Sequence, residues 1–227
     1  MKLGERILDL FYPRFCSACG GIPEEGAICA ACSAGLEWIQ GDGCGRCGAE
    51  LREGVACVSC KDRTFLFDRA VAAGAYRGGL RNLILKFKFH GERMLAWDFG
   101  RRLADRVRAA RIDVDGVTFV PTRTWKLLWE RRYNAGEILA ERVAAELDRP
   151  LLRVLKKRRS TGPQMELPLE QRLTNLKDAF VSKKVRGRRL LLVDDVLTTG
   201  STASECARAL SQAGAVSTSL AVVARSY

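Results

Sequence analysis

The chain has 227 residues, 47% of them hydrophobic and 28% charged, the composition of an ordinary soluble globular protein and long enough for one α/β domain with a small module. No run approaches the roughly 18 to 20 apolar residues of a membrane-spanning helix, and the formal net charge of +12 favours a polyanionic partner, phosphates on a small molecule or a nucleic-acid backbone, with a solvated basic surface as the alternative. The opening stretch MKLGERILDLFYPRFC breaks its apolar patch with Asp9 and lacks a small-residue cleavage site; it is read as no signal peptide, the protein as cytoplasmic, and peripheral membrane association is left open.

Eight of the nine cysteines fall in the first 60 residues. They form Cys16-x2-Cys19, Cys29-x2-Cys32, Cys44-x2-Cys47 and Cys57-x2-Cys60, and each cysteine of the second set follows its counterpart by 28 positions. Gly20 and Gly48, Glu25-Gly26 and Glu53-Gly54 recur at the same offset, so this is an internal repeat. Each CxxC pair makes a tight knuckle presenting two thiolates, and two pairs satisfy a tetrahedral zinc ion. Disulfides or a thioredoxin-like redox motif are the weaker readings, because the compartment is reducing and no βαβ pattern surrounds the pairs. The spacing permits sequential or interleaved pairing. Four thiolates leave no open position for water, and a 60-residue segment poor in large apolar side chains needs the metal to fold; two structural zinc sites follow, in a ribbon module over residues 1–62.

Residues 63–227 alternate as an α/β domain does. Residues 67–76 predict a strand, LRNLILKFKF a helix or amphipathic stretch, 94–110 a helix with Leu95, Phe99, Leu103 and Val107 on one face, and GVTFVP a short strand stopped by Pro121. Asn134 predicts an N-cap, with Glu137 completing a capping box, for a helix to about Leu147. LLRVL (151–155) reads as a strand, 158–170 as a polar loop, RRLLLVDD as a central strand, 201–213 as a helix and STSLAVVAR as a last strand. Such alternation implies a mostly parallel sheet with its ligand site at the strands' carboxyl ends. Basic runs stand at 123–132, at KKRR (156–159) and at KKVRGRR (183–189).

The segment LLLVDDVLTTGST (190–202) concentrates the chemistry. Leu190 to Val193 are apolar on both faces, as a strand covered on each side requires. Asp194 and Asp195 then lie where the strand leaves the sheet, and the hydroxyl-rich turn around Gly200 leads into a helix N-terminus that can cradle a phosphate. Paired carboxylates beside a phosphate cradle suit a sugar phosphate, with magnesium held through water.

This string resembles the phosphoribosyl-pyrophosphate (PRPP) motif of type I phosphoribosyltransferases; no Walker P-loop or Rossmann fingerprint occurs. Taken in order, the cysteine ribbon, LILKFKFHGE, FVPTR followed by RRYNAGEILA, QMELPLEQRLTNLKDAF and DDVLTTGST resemble the ComF family of competence proteins across nearly the whole chain. The resemblance implies a type I phosphoribosyltransferase-like sheet behind a double zinc ribbon. It implies that Asp194 and Asp195 contact the ribose hydroxyls of magnesium-bound PRPP, that Thr198, Thr199, Gly200, Ser201 and Thr202 hold the 5-phosphate, and that Thr122 and Arg123 face pyrophosphate. Arg131, Arg132, Tyr133 and Asn134 match a family signature and Lys88 another; Lys88, Arg123, Arg131 and Arg132 are the catalytic candidates, as cations that neutralise departing pyrophosphate. Gln164, Arg172 and Asn175 match a family pattern without an assigned chemistry. His90 is read as a surface or packing residue and Cys206 as a small buried one. Two functions follow from the resemblance: a role in natural competence, handling single-stranded DNA beside the uptake machinery, or an active transferase passing ribose 5-phosphate from PRPP to a nitrogen acceptor in nucleotide metabolism.

Overall fold

The computed structural model describes residues 15–51, 57–61, 63–122, 133–158 and 179–226. In chain order these form helix α1 (Ala30–Ala34), a 3-10 turn (Val58–Cys60), strand β1 (Arg69–Ala75), helices α2 (Gly78–Phe89) and α3 (Leu95–Ala109), strand β2 (Gly116–Phe119), helix α4 (Ala135–Leu147), short strands β3 (Leu155–Lys157) and β4 (Phe180–Ser182), strand β5 (Arg189–Leu197), helix α5 (Ser201–Gln212) and strand β6 (Ser217–Arg225). The main sheet has the order β1-β6-β5-β2 and every pairing in it is parallel. Strands β3 and β4 form a separate antiparallel pair.

Two-sided burial explains the uninterrupted apolar runs of β5 and β6. Leu191 and Val193 pack with α2, α3 and α4 on one face, whereas Leu190 and Leu192 pack with α5 and the β3–β4 pair on the other. On α3 the expected stripe of Leu95, Phe99, Leu103 and Val107 is buried throughout. Phe99 meets Phe87 of α2 and Trp38 of the ribbon edge-on, at 5.8 and 6.5 Å between ring centroids. Each such residue removed from water is worth about 1.5 to 3 kcal/mol, so these helices are held by their apolar faces and not by propensity.

The ribbon does not stand apart from this core. Ala27, Ile28 and Trp38 belong to the same buried cluster as α2 and α3. Residues 37–39 run antiparallel beside β1, with Ile39 N–H donating to the Ala73 carbonyl at 2.9 Å and Ala75 N–H to that of Glu37 at 2.8 Å. This backbone covers what would be an open sheet edge. The Glu37 carboxylate also accepts from the amides of Gly79 (3.1 Å) and Leu80 (2.9 Å), capping the first turn of α2 from a different module.

Three expectations are corrected. Residues 151–155 do not make a strand: Leu151 forms a single bridge with Val117 and the ladder starts only at Leu155, because the chain crosses the edge of a four-residue β2 instead of following it. Its partner β4 carries no alternation long enough to mark it in the sequence. Asn134 caps α4 by accepting from Glu137 N–H at 3.4 Å, but the capping box is half made, since the Glu137 carboxylate turns outward to Arg153 at 2.6 Å. Strand β5 also runs past Asp194 and Asp195 to Leu197, because β6 continues beside it to Arg225.

Candidate functional site

The end of β5 is paired on one side only. Its ladder with β2 stops at Val193 opposite Phe119, while that with β6 continues four residues further, so the backbone from Asp194 onward faces an opening toward the carboxyl end of β2, where Thr122 follows. Adjacent strand residues point to opposite faces, and the two carboxylates separate accordingly. Asp195 faces α2, where Lys88 Nζ pairs with its Oδ1 at 2.8 Å with both side chains largely shielded. Asp194 faces α5 and lies near Cys206, whose thiol is raised by burial first and by the Asp194 charge second. Burial, followed by the Asp195 charge, pushes Asp194 up to about 7, against the pull of Lys88 and of the Asp195 amide, which donates to Asp194 Oδ1 at 2.9 Å.

Beyond the carboxylates the chain bends through Thr198 to Gly200 into α5. Gly200 sits at φ +83°, and a β-carbon there would meet Phe65 Cε1 at 2.5 Å, so both the backbone and the space demand glycine. Gly200→Ala is expected to cost about 2 kcal/mol, from left-handed strain and the clash, seen as a lower urea midpoint; an unchanged midpoint would contradict this turn geometry. The Thr199 and Ser201 hydroxyls lie 3.0 Å apart, and Thr199 Oγ1 accepts from Ser201 N–H at 3.4 Å. Below the turn, the guanidinium of Arg225, 1% exposed, donates through Nη1 to the carbonyls of Leu197 (2.7 Å), Thr198 (2.6 Å) and Ser226. Arg63 Nη1 also reaches the Thr198 carbonyl, at 3.1 Å. With these carbonyls held by arginines, a hydroxyl-rich turn with Thr198 exposed leads into the amino end of α5, an arrangement suited to a phosphate.

Asp194, Asp195, Lys88 and the loop 198–202 thus converge at one end of the sheet. Tyr133 is tied there too: its hydroxyl donates to the Phe87 carbonyl, next to Lys88, and its ring lies 6.3 Å from that of Phe87. Arg123, Arg131, Arg132, Gln164, Arg172 and Asn175 lie outside the described residues. His90 is an exposed cap on α2 and Cys206 is fully buried, as expected. Arg225, Arg63 and Glu37 were not singled out from the sequence. For Arg225 the only signal is an arginine closing an apolar run, AVVAR.

The cysteines gather as two sets, Cys16, Cys19, Cys29, Cys32 and Cys44, Cys47, Cys57, Cys60, and within each set the four sulfurs lie within 4.8 Å of one another. Pairing is therefore sequential, not interleaved. The repeat is visible in the backbone: Gly20 N–H donates to the Cys16 carbonyl as Gly48 N–H does to that of Cys44, and both glycines have positive φ. Such crowding suits a cation. Hydrogen bonds from neighbouring thiols, Cys19 first, push Cys32 up to about 12, whereas backbone amides pull Cys16 down to about 6 in spite of its burial. Four sulfurs this close match the four thiolate ligands of a tetrahedral zinc site.

Two basic runs also meet. Strand β3 carries Lys156 and Lys157 opposite Val181 and Phe180 of β4, with Arg158 at one end and Lys183 and Lys184 at the other. Lys156, Arg158, Lys183, Lys184, Arg186 and Arg188 are all exposed. No helix among the described residues is long and apolar enough to cross a membrane.

Residues 7–61 match the double zinc ribbon domain and residues 134–226 the phosphoribosyl transferase domain. Competence protein F of Haemophilus influenzae is 33% identical over 166 residues, spanning 69% of this chain and 72% of that protein. The chain belongs to the competence protein F (ComF) family. Other relatives at similar identity are the DNA utilization proteins YhgH of Escherichia coli K12, 31% identical over 164 residues, and of Salmonella typhimurium, 30% over 167, each covering 69% of this chain and 71% of the relative. The cysteine sets of this ComF chain are thus those of a double zinc ribbon, and its sheet is that of a phosphoribosyl transferase domain. Among solved structures, the allosteric regulatory enzyme of purine biosynthesis aligns with 61% of the chain at 18% identity and a TM-score of 0.43, and the purine phosphoribosyltransferase of Pyrococcus horikoshii with 58% at 20% and 0.37. The chain covers 30% of the former and 83% of the latter.

Proposed function

We propose that this protein serves natural competence in the cytoplasm, handling single-stranded transforming DNA beside the uptake machinery, and that its transferase-like site binds magnesium–PRPP. The reading divides the chain into a ribbon module, residues 1–62, and the transferase-like domain, 63–227. The observation that carries it is the placing of two carboxylates at the one-sided end of β5, followed by the Gly200 turn into α5. In this reading Asp194 and Asp195 accept hydrogen bonds from the ribose 2′ and 3′ hydroxyls, and residues 198–202 hold the 5-phosphate. Thr122 and Arg123 meet the pyrophosphate, with Lys88, Arg131 and Arg132 supplying positive charge. Magnesium suits this donor set, because a dication offsets the burial and the neighbouring Asp195 charge that together push Asp194 up to about 7. The basic hairpin of β3 and β4 supports a polyanionic partner.

The test is binding of magnesium–PRPP to the zinc-loaded protein, with pyrophosphate release followed in parallel against purine, pyrimidine and amine acceptors. Asp194→Asn with Asp195→Asn is expected to weaken binding at least a hundredfold while the domain stays folded; undiminished affinity would sink the assignment. A carboxyl raised to about 7 is protonated below that value, so affinity should rise with pH through 7, and Asp194→Asn should flatten the rise. Release that requires both aspartates makes the protein a working transferase; tight binding without release makes PRPP a regulatory ligand.

A further inference from the structure

A second concave site lies at the opposite end of the sheet. It is a cavity of about 300 Å³ where the second ribbon meets the start of β1 and the last turn of α3. Its basic wall is made of Arg69, Arg106 and Arg111; Asp42, exposed on the rim, is the one carboxylate in its lining. The far wall is ribbon backbone at Gly43, Gly45 and Gly48, and the Gly45 carbonyl accepts from Ala70 N–H at 3.0 Å, so the closed second ribbon shapes the cavity.

None of these three arginines is ion-paired among the described residues. Nearby arginines are: Arg108 pairs with Asp105, and Arg189 with Asp113 and Asp115. Arg69 donates to the Ala110 carbonyl at 3.1 Å and Arg106 Nη1 to that of Gly41 at 2.5 Å, but Arg106 Nε is buried with no partner among the described residues. The carbonyl end of α3 does not account for the remaining charge, since Arg111 N–H donates to Arg108 O and Ile112 N–H to Val107 O, closing the helix in the usual two-bond way. Arg111 occupies the left-handed position of that closure, at φ +50°, where glycine is the low-strain residue. Three arginines line one cavity and none is ion-paired among the described residues, a charge arrangement that suits an anion.

We propose that this cavity is a second phosphate site, taking the phosphate group of a nucleotide-sized ester on the guanidinium groups of Arg106 and Arg111, with Arg69 closing the ring. Three forked donors suit a tetrahedral oxyanion, and the volume sits at the small end of ordinary ligand pockets. The site is independent of the proposed PRPP reading. It lies at the amino end of β1, three residues before Ala72, which stands level with Asp194 across β6, so the two sites are about 10 Å apart along the strands and two strand spacings apart across the sheet.

The phosphate can come from a free mononucleotide or from a nucleic-acid strand, and titration separates the two. Zinc-loaded full-length protein is titrated with inorganic phosphate, deoxycytidine 5′-monophosphate, or a short oligodeoxynucleotide lacking terminal phosphates, while the backbone amide signals of Gly43, Gly45 and Gly48 are followed by NMR. Saturable shifts with the first two identify a free ester, and shifts with the oligonucleotide alone identify a strand. In Arg111→Gly, which removes the guanidinium and the strain together, and in Arg106→Gln, the affinity read at these amides should fall about tenfold to a hundredfold. The proposal is overturned if no probe moves these signals, or if both variants titrate like the parent. Failure of the PRPP reading would be seen separately, as amides at residues 199–202 that stay unmoved when magnesium–PRPP is added.

Discussion

Stripping zinc from the ribbons is expected to loosen helix α2 and strand β1 together with the ribbons themselves. A structural zinc site contributes roughly 10 to 16 kcal/mol of apparent binding energy, comparable with the whole stability of a domain. Its loss releases residues 37–39 from β1, the Glu37 carboxylate from the first turn of α2, and Ala27, Ile28 and Trp38 from the shared core. Because α2 carries Lys88, the partner of Asp195, the loss reaches the far end of the sheet. Hydrogen exchange on the chelated protein should show protection falling in residues 78–89 and 69–75 as well as in the ribbons, with less change in α5. Cys16→Ser and Cys44→Ser, each emptying one site, would divide the effect, the first acting through Asp98, which accepts from Ala27 N–H at 2.8 Å, and the second through Gly45 and β1. Unaltered protection of α2 after complete chelation would refute the coupling.

Arg225→Met should be the most damaging single change in the transferase-like domain. The arginine is buried and its Nη1 donates to three backbone carbonyls beneath the loop; an apolar replacement removes all three bonds, leaving the Leu197 carbonyl to the Ser226 amide and the Thr198 carbonyl to Arg63. The expected cost is about 2 to 4 kcal/mol, from the loss of hydrogen bonds made by a charged donor. Magnesium–PRPP affinity should fall with it in the fraction that stays folded. Arg225→Lys restores the charge and should land between the two, because its flexible ammonium has to be brought to the one place where Nη1 meets all three carbonyls. A stability loss under about 1 kcal/mol for Arg225→Met would mean that the loop supports itself.

How much of this could be read from the chain depends on how far each interaction reaches. Helix α3 was legible because Leu95, Phe99, Leu103 and Val107 repeat at a local period, and β5 because Leu190 to Val193 are covered on both faces. The Asp194–Thr202 string was legible as one contiguous stretch. Glu37 was not, since it caps amides 42 and 43 residues away, and neither was the Arg225 brace across 28 residues, since no local pattern tells an arginine that its acceptors are carbonyls. The stretch 151–155 misled because apolar content marks burial and not the partner that turns burial into a ladder. Cysteine spacing left two pairings open, and the separation of the sulfurs into two groups chose between them.

The strand order has a consequence for synthesis on the ribosome. Strand β1 is the first of the sheet to emerge, yet its ladder partner β6 is the last, with Arg69 opposite Ser219 and Ala75 opposite Arg225. For most of translation β1 therefore waits with that edge unsatisfied, a setting in which nascent strands join wrong neighbours. Its other edge is served by residues 37–39, which emerge before it. A ribbon that closes on metal while the chain is still growing would hand β1 a companion from its own sequence, so zinc supply during translation, and not only afterwards, would govern how much protein reaches the native state.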